Sequence, residues 1–175
     1  MTVYTTLDQP AFFHALWAQN ELYSKRMLLW IRLILGMIVF AVTIPIHLLG
    51  GTADWVIRAC LCALVLALHA VFSERARRKM LGRTAADIVE ANGGDLRMEY
   101  RFGEESFFAI GPNGEEEIPY SRIAALCETD GVFLLVLGRF FVHAIRKADL
   151  AAERRRELAS LLMDRTGQPW RAYKV

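Results

Sequence analysis

The sequence has few of the residues and none of the motifs on which most enzyme classes depend. It contains three cysteines and four histidines, with no Cys/His pair at metal-ligand spacing, no nucleophile elbow and no glycine-rich phosphate loop. Cys60 and Cys62 fall on different faces of a predicted helix and Cys127 lies far along the chain, so we expect no disulfide framework. We therefore predict a reduced cytoplasmic domain with no catalytic residues, no metal ligands and no cofactor.

The sequence also lacks a strong net charge, since 21 basic residues stand against 19 acidic ones. This balance gives no reason to expect a nucleic-acid partner. What it has instead is apolar sequence, 54% of the chain, against about 45–50% for a typical soluble domain. The excess lies in two runs, residues 27–49 and 55–72, joined by a turn at residues 50–54. A helical run of this length can cross a hydrocarbon core of about 30 Å, so we predict a transmembrane α-helical hairpin.

Basic residues flank this hairpin and are missing from its turn. The positive-inside bias then places both chain termini on the cytoplasmic side of a multi-pass membrane protein. The same kind of residue is a candidate contact for anionic lipid headgroups. The candidates are Arg75, Arg77, Arg78, Lys79, Arg83, Arg146 and Lys147.

Two features inside the apolar runs are open to more than one reading. Arg32 is either a functional intramembrane charge or, as we prefer, a side chain whose long stem reaches back to the headgroups. Small residues allow two helices to approach closely, within one hairpin or between two copies of the chain. The candidate helix-packing residues are Gly36, Ala59, Ala63 and Ala67.

The remaining sequence divides into three segments. Residues 1–26 form a strand and an amphipathic helix that lies either at a membrane interface or on the folded domain. Residues 73–94 form a basic juxtamembrane helix and linker. Residues 95–175 form an α+β domain, because apolar and polar residues alternate through about six short strands before a C-terminal helix. We expect Asp149 to cap that helix and Gly167 to end it.

The strand region carries a distinctive order of residues: Ile118, Pro119, Tyr120, Ser121, Ile123, Glu128, Thr129, Asp130, residues 133–137, Arg146 and Lys147. In this order it resembles the C-terminal domain of the YcxB-like family of bacterial membrane proteins. The resemblance covers about residues 96–165, and the family also has a preceding two-span hairpin. It implies an antiparallel meander of the pleckstrin-homology (PH-like) type closed by the helix, an inner-membrane location and no established activity. This sequence departs from the family in having Ala144 where a proline is common, and in showing six strands rather than seven unless residues 3–5 supply another.

Three functions remain after the polar residues are weighed. The leading hypothesis is a non-enzymatic inner-membrane protein that presents its cytoplasmic domain to a protein partner or a second copy. The alternative is recognition of anionic lipid headgroups. A membrane enzyme would need His143, an acid and Ser121 within hydrogen-bond reach. Neighbouring residues in a strand point to opposite faces, so residues 115–117 are read as a solvated acidic edge and His143 as a satisfied rim histidine.

Overall fold

The computed structural model describes residues 1–47, 54–112, 114–138 and 141–175. These residues divide into two units, which we call the β unit (Met1–Leu22 with Leu81–Val175) and the helical segment (Tyr23–Met80). Their elements, in chain order, are β1 (Thr2–Leu7), α1 (Gln9–His47), α2 (Asp54–Ala91), β2 (Leu96–Phe102), β3 (Ser106–Gly111), β4 (Gly114–Pro119), β5 (Ala125–Glu128), β6 (Val132–Val136), β7 (Val142–Arg146), α3 (Ala152–Thr166) and β8 (Trp170–Ala172), with 3₁₀ turns at Tyr120–Arg122 and Lys147–Asp149.

Sheet 1 is antiparallel and has the strand order β1-β2-β3-β4. Val3 lies opposite Tyr100, and Phe107 lies between Phe102 and Ile118. These side chains share the buried face, because alternate residues of a strand point the same way. The polar alternates of β2, such as Arg97 and Arg101, are exposed. The period of two in the sequence therefore predicted the inner face of β2 correctly.

Sheet 2 has the order β7-β6-β5-β8, with β8 parallel to β5 and the other pairs antiparallel. Every residue of β6 is buried. Phe133 and Leu135 pack with the inner face of sheet 1 and with α3, whereas Val132, Leu134 and Val136 pack with the start of α1. A strand covered on both faces reads as a continuous apolar run, which explains the sequence of β6.

Two of the helices are followed by a glycine with a positive φ. The helix α2 ends at Ala91, and Gly93 follows with a φ of 74°. The helix α3 ends at Thr166, and Gly167 takes the left-handed conformation with a φ of 66° while its N–H donates to the carbonyl of Met163. Glycine adopts this conformation without the penalty that other residues meet. The predicted end of α3 at Gly167 is confirmed.

The predicted transmembrane hairpin is wrong. Within the described residues, neither long helix carries a stretch that is both long enough and apolar enough to cross a membrane. The predicted multi-pass inner-membrane location depended on this hairpin and is therefore also wrong. The predicted turn at residues 50–54 lies, apart from Asp54, outside the described residues.

The predicted PH-like meander within residues 95–175 is also wrong. The strands divide between two sheets, and each sheet recruits a strand from one end of the chain: β1 is an edge of sheet 1, and β8 is an edge of sheet 2. The residues 3–5 do supply a strand, but its partner β2 lies about a hundred residues away. Local alternation identifies strands, whereas the division into sheets depends on contacts between distant residues.

The predicted capping role of Asp149 is wrong as well. The N-cap of α3 is Ala151, which makes no side-chain cap hydrogen bond. The carboxylate of Asp149 instead accepts hydrogen bonds from the N-terminal strand and from Arg146. Asp8 caps α1 instead, by accepting from the N–H of Ala11 at 2.9 Å.

Candidate functional site

Four of the predicted headgroup contacts lie on the part of α2 that belongs to the helical segment. Arg75 and Lys79 are exposed. Arg77 and Arg78 form ion pairs with Glu74 at 2.8 and 3.4 Å. These are four cations and one carboxylate, so the cluster carries a net charge of about three positive units. We call Arg75, Arg77, Arg78 and Lys79 the basic cluster; Arg83, one helical turn further on, is exposed in the β unit.

Arg146 does not present its charge to solvent in the way that the sequence suggested. Its guanidinium donates from Nη1 to Asp8 at 2.6 Å and from Nε and Nη2 to Asp149 at 3.0 and 2.7 Å. Asp8 is 138 positions away in the sequence. Arg146 is therefore a cross-link between the start of α1 and the end of β7, and its charge is balanced by two carboxylates.

Lys147 is similarly engaged. Its Nζ donates to the carboxylate of Glu128 at 2.9 Å and to the carbonyl of Thr129 at 2.6 Å, and it lies 4.6 Å from the centroid of the Phe133 ring. An ammonium held by a carboxylate, a carbonyl and an aromatic face has little capacity left for a lipid phosphate. The structure thus separates the seven predicted contacts into five on α2 and two that are internal to the β unit.

Thr5 completes the network around Arg146 and joins the two sheets. Its buried Oγ1 donates to Asp149 at 2.9 Å and accepts from the backbone N–H of Arg146 at 2.9 Å. The side-chain oxygen of Thr5 on β1 therefore satisfies one backbone N–H at the edge of β7, which has no strand partner on that side among the described residues. Buried backbone N–H groups need such acceptors.

Asp149 gains its acidity from this network. Partial burial acts to raise the pKa of its carboxyl, but hydrogen bonds from Arg146, from the N–H of Thr6 and from the hydroxyl of Thr5 outweigh that effect and hold the pKa below its usual value. A carboxylate that accepts several hydrogen bonds is stabilised in its charged form. The cluster is therefore a structural clamp.

The predicted helix-packing residues do not make close helix contacts in the part of the chain that is described. Ala63 and Ala67 are exposed, and a Cβ atom added at Gly36 would meet no atom within 4 Å. The side chain of Ala59 lies outside the described residues. Small residues at helical spacing allow two helices to pack closely but do not require it. Among the described residues, no neighbouring backbone approaches these positions.

The helical segment exposes a large apolar surface. Of the 17 large apolar side chains that are exposed among the described residues, 14 belong to this unit. Their exposed fractions lie between 38% and 63%. They are Tyr23, Leu29, Trp30, Ile31, Leu33, Ile34, Met37, Ile38, Leu64, Val65, Leu68, Val71, Phe72 and Met80. We call this set the apolar surface. Arg32 is exposed within it.

The histidines of the β unit are packed rather than poised for catalysis. His14 shares a hydrogen bond of 3.1 Å with the hydroxyl of Thr129, and burial lowers its pKa although Asp130 and Asp8 act in the opposite sense. His143 lies edge-on to the rings of Tyr100 and Phe107 and also has a pKa lowered by burial. Its Nδ1 lies 3.5 Å from the Tyr100 hydroxyl, within hydrogen-bond distance. Ser121 is exposed in its 3₁₀ turn, and among the described residues it makes no hydrogen bond with His143.

Cys127 and the acidic edge complete the inventory of reactive groups. Cys127 is fully buried, and burial raises the pKa of its thiol to about 11. A thiol that stays protonated is a poor nucleophile. The residues 115–117 lie exposed on β4, an edge strand of sheet 1. The described residues contain no group of three or more His, Cys, Asp or Glu side chains that could hold a metal ion.

Comparison with known proteins adds no relative, because no family model, no curated protein and no solved structure matches the chain. The resemblance to the YcxB-like family gains no support from this result and stays a prediction.

Proposed function

We propose that this protein is a non-catalytic protein that attaches to an anionic lipid surface through its helical segment and offers its β unit to a protein partner. The observation that carries the proposal is the apolar surface next to the basic cluster. Large exposed apolar patches of soluble monomers reach about 300–600 Å². Fourteen side chains that are each about half exposed amount to something on the order of 1,000 Å².

The distribution of these side chains around the helix favours lipid over a second protein chain. Leu29, Trp30 and Ile31 are consecutive, and Leu33 and Ile34 follow after Arg32; all are exposed. Successive helical residues differ by about 100° in direction, so these side chains spread over an arc of about 200° around α1, and Arg32 lies on the remaining side. An arc of this width exceeds the stripe that one partner helix covers, and it suits a helix that lies along a lipid surface.

The basic cluster supplies the preference for anionic lipid. It follows the apolar side chains directly on α2, since Phe72 is the last of the apolar run and Arg75 the first of the cluster. Each basic residue near an anionic surface contributes about 1 kcal/mol, so the cluster contributes about 3–4 kcal/mol. Burial of 1,000 Å² at about 25 cal/mol per Å² would contribute about 25 kcal/mol. The apolar term dominates, and we expect high salt to weaken the lipid preference without releasing the protein.

Flotation of the full-length protein with lipid vesicles tests this proposal. We expect it to float with phosphatidylcholine vesicles, to float more completely when phosphatidylglycerol is included, and to stay bound at high salt. Changing Arg75, Arg77, Arg78 and Lys79 to Gln should remove the gain from phosphatidylglycerol. The matched control changes Arg154 and Arg156, which are exposed on α3, to Gln and should leave that gain intact.

Two results would contradict the proposal. A protein that does not float and instead forms a stable dimer without lipid would show that a second copy covers the apolar surface. The gain from phosphatidylglycerol could survive loss of the basic cluster, or the control variant could abolish it equally. Either result would contradict binding of anionic headgroups by the basic cluster.

The β unit offers the edge of β4 as a surface for a protein partner. Within the described part of the chain, the strand has a neighbour, β3, on one side only, and its exposed residues include Glu115, Glu116 and Glu117. Sheet edges bind extended segments through backbone hydrogen bonds, and an acidic edge favours a basic segment. Carboxylates on an edge also repel a second acidic edge, which excludes pairing between two copies of β4.

Native purification in mild detergent with mass spectrometry tests this part. We expect a stoichiometric protein companion that is lost when Glu115, Glu116 and Glu117 are changed to Gln and retained in the Arg154 and Arg156 variant. A companion that is retained after loss of the three carboxylates would contradict binding at this edge.

A further inference from the structure

A hydrogen bond between two side chains joins the start of α1 to the turn that connects β5 and β6. Nδ1 of His14 lies 3.1 Å from Oγ1 of Thr129, which is 115 positions away in the sequence. Thr129 is buried. Its Oγ1 also accepts from the backbone N–H groups of Gly131 at 3.3 Å and of Val132 at 3.1 Å. One hydroxyl group therefore serves both the turn and the helix.

The two backbone bonds determine the direction of the bond to His14. A hydroxyl group has one proton and two acceptor lone pairs. Because the N–H groups of Gly131 and Val132 occupy both lone pairs of Thr129 Oγ1, its proton is directed to Nδ1 of His14. The neutral imidazole thus accepts at Nδ1 and carries its own hydrogen on Nε2.

A protonated His14 is incompatible with this arrangement. Both nitrogens of an imidazolium are donors, so its Nδ1–H would face an oxygen whose lone pairs are already used. The ring has no room to shift toward the turn, because Gly131 packs against it. A Cβ atom added at Gly131 would lie 3.2–3.3 Å from Nδ1, Cγ and Cε1 of the ring. The charged ring therefore has to turn away from Thr129.

A cleft of about 370 Å³ lies beside His14 and gives the charged ring room to move. The charged side chains that line the cleft come from each element around the ring. They are Asp8 before α1, Asp130 in the turn, Arg146 and Lys147 at the end of β7, and Arg155 on α3.

The charges of the cleft favour an imidazolium there over one in the buried position. Arg146 is paired with Asp8, and Lys147 is likewise paired with a carboxylate. Asp130 is exposed and has no ion-pair partner among the described residues. Burial of the ring lowers the pKa of His14, whereas the carboxylates of Asp130 and Asp8 act to raise it. A ring that moves into the cleft leaves the burial penalty behind and keeps the attraction.

We propose that the turn between β5 and β6 carries a pH-sensitive switch with two positions of His14. In the neutral position the ring binds Thr129 and packs on Gly131. In the charged position it turns into the cleft, releases the Thr129 hydroxyl and approaches Asp130. Because the folded-state pKa of His14 lies below its ordinary value of about 6.5, the neutral position is present at pH 7 and is lost in acid. The switch lies within the β unit and does not depend on the proposed attachment to lipid.

NMR spectroscopy of the full-length protein in mild detergent tests the proposal. The reporters are the imidazole nitrogens of His14 and the nuclear Overhauser contacts between its ring and the Hα protons of Gly131. At about pH 7.5 we expect the Nε2–H form and strong contacts. As the ring becomes charged in acid, the contacts should weaken several-fold. A neutral ring with its hydrogen on Nδ1, or a charged ring that keeps its full contact with Gly131, would overturn the proposal.

Two substitutions of Thr129 test the role of its hydroxyl group. Thr129→Val removes the hydrogen bond that favours the neutral ring, so the midpoint of the His14 titration should rise by about 0.5–1 pH unit. Thr129→Ser keeps the hydroxyl group and should leave the midpoint within about 0.2 unit of wild type. A midpoint that falls or stays unchanged in Thr129→Val would contradict the assigned bond. The wild-type contacts decide the question even if Thr129→Val does not fold.

A pair of histidine variants identifies the titrating group. His14→Phe keeps a ring against the turn but cannot take a proton, so the Gly131 signals should no longer respond to pH. The matched control is His143→Gln, which removes the other buried histidine of the β unit and should leave the response intact. A response that persists in His14→Phe, or that disappears in His143→Gln, would show that another group controls this turn.

Discussion

Replacing Thr5 by Val tests whether the seam between the two sheets depends on one hydroxyl group. Valine keeps the β-branched shape that suits a strand, so the change removes the oxygen and little else. Two hydrogen bonds of 2.9 Å are lost, one to Asp149 and one from the backbone N–H of Arg146. Thr5 is 3% exposed, so water does not replace the oxygen.

The expected loss in the free energy of unfolding follows from these two bonds. A buried N–H left without an acceptor costs about 1–3 kcal/mol, and a hydrogen bond to a charged group contributes about 1.5–3 kcal/mol. The added methyl group returns about 1 kcal/mol. We therefore expect a net loss of about 1.5–5 kcal/mol, which corresponds to a fall in Tm of about 3–20 °C for a chain of this size.

The assay is thermal and urea unfolding of the full-length protein, with hydrogen exchange at the amide of Arg146 as the local reading. The control is Thr2→Val, at an exposed position of the same strand, which should change the stability by less than about 0.5 kcal/mol. Equal effects of the two substitutions, or unchanged exchange at Arg146, would refute the role given to Thr5.

The pH dependence of stability in the same variant tests the contribution of the hydrogen bond from Thr5 to Asp149. Because the folded-state pKa of Asp149 is lowered, its contribution is present above the unfolded pKa of about 3.9 and is lost as the pH falls through the folded value. The difference between wild type and Thr5→Val should therefore narrow below about pH 4 without vanishing, since the Arg146 N–H stays unpaired. A difference that widens in acid would contradict this reading.

Three further predictions concern the β unit. Gly131→Ala should destabilise by about 1 kcal/mol in urea unfolding, because the added Cβ would lie 3.2–3.3 Å from the His14 ring; an unchanged stability would contradict that contact. The pKa values of His14 and His143 are lowered in the folded protein, so the unfolded chain binds more protons below about pH 6.5. Stability should therefore decrease as the pH is lowered below that value, and His143→Gln should make this decrease less steep. Iodoacetamide at pH 8 should label exposed Cys60 and leave buried Cys127 unlabelled until the protein unfolds; rapid labelling of native Cys127, read by peptide mass spectrometry, would refute its burial.

The sequence predicts the local structure of the β unit better than its assembly. The alternation through Leu96, Met98, Tyr100 and Phe102 predicted the buried face of β2, since a strand that packs on one side must alternate. Gly167 predicted the end of α3 for a similarly local reason. The division into two sheets, the pairing of the predicted strand β1 with β2, and the strand β8 were not predicted, because these pairings join residues that are far apart in the chain.

The candidate site shows the same limit. Arg146 and Lys147 have the composition of a basic surface patch, and the sequence gives no sign that Asp8, Asp149 and Glu128 neutralise them. An ion pair between residues 138 positions apart has no local pattern. The basic cluster on α2 was more predictable, because the charges of a regular helix stay on its surface whatever the rest of the chain does.

The start of α1 packs on sheet 2 through its small residues. Ala11, Ala15 and Ala18 are fully buried against sheet 2, while Phe12 and Phe13 are only partly buried. Trp17 is also buried, and its Nε1–H donates to the carbonyl of Lys174. A helix that lies on a flat sheet approaches closely only where its side chains are small, and close approach increases the number of favourable contacts per residue. The alanine spacing of four and three is thus a signal for packing on the β unit. The aromatic residues suit a membrane interface as well as a folded domain, which is why the sequence left the location of this helix open.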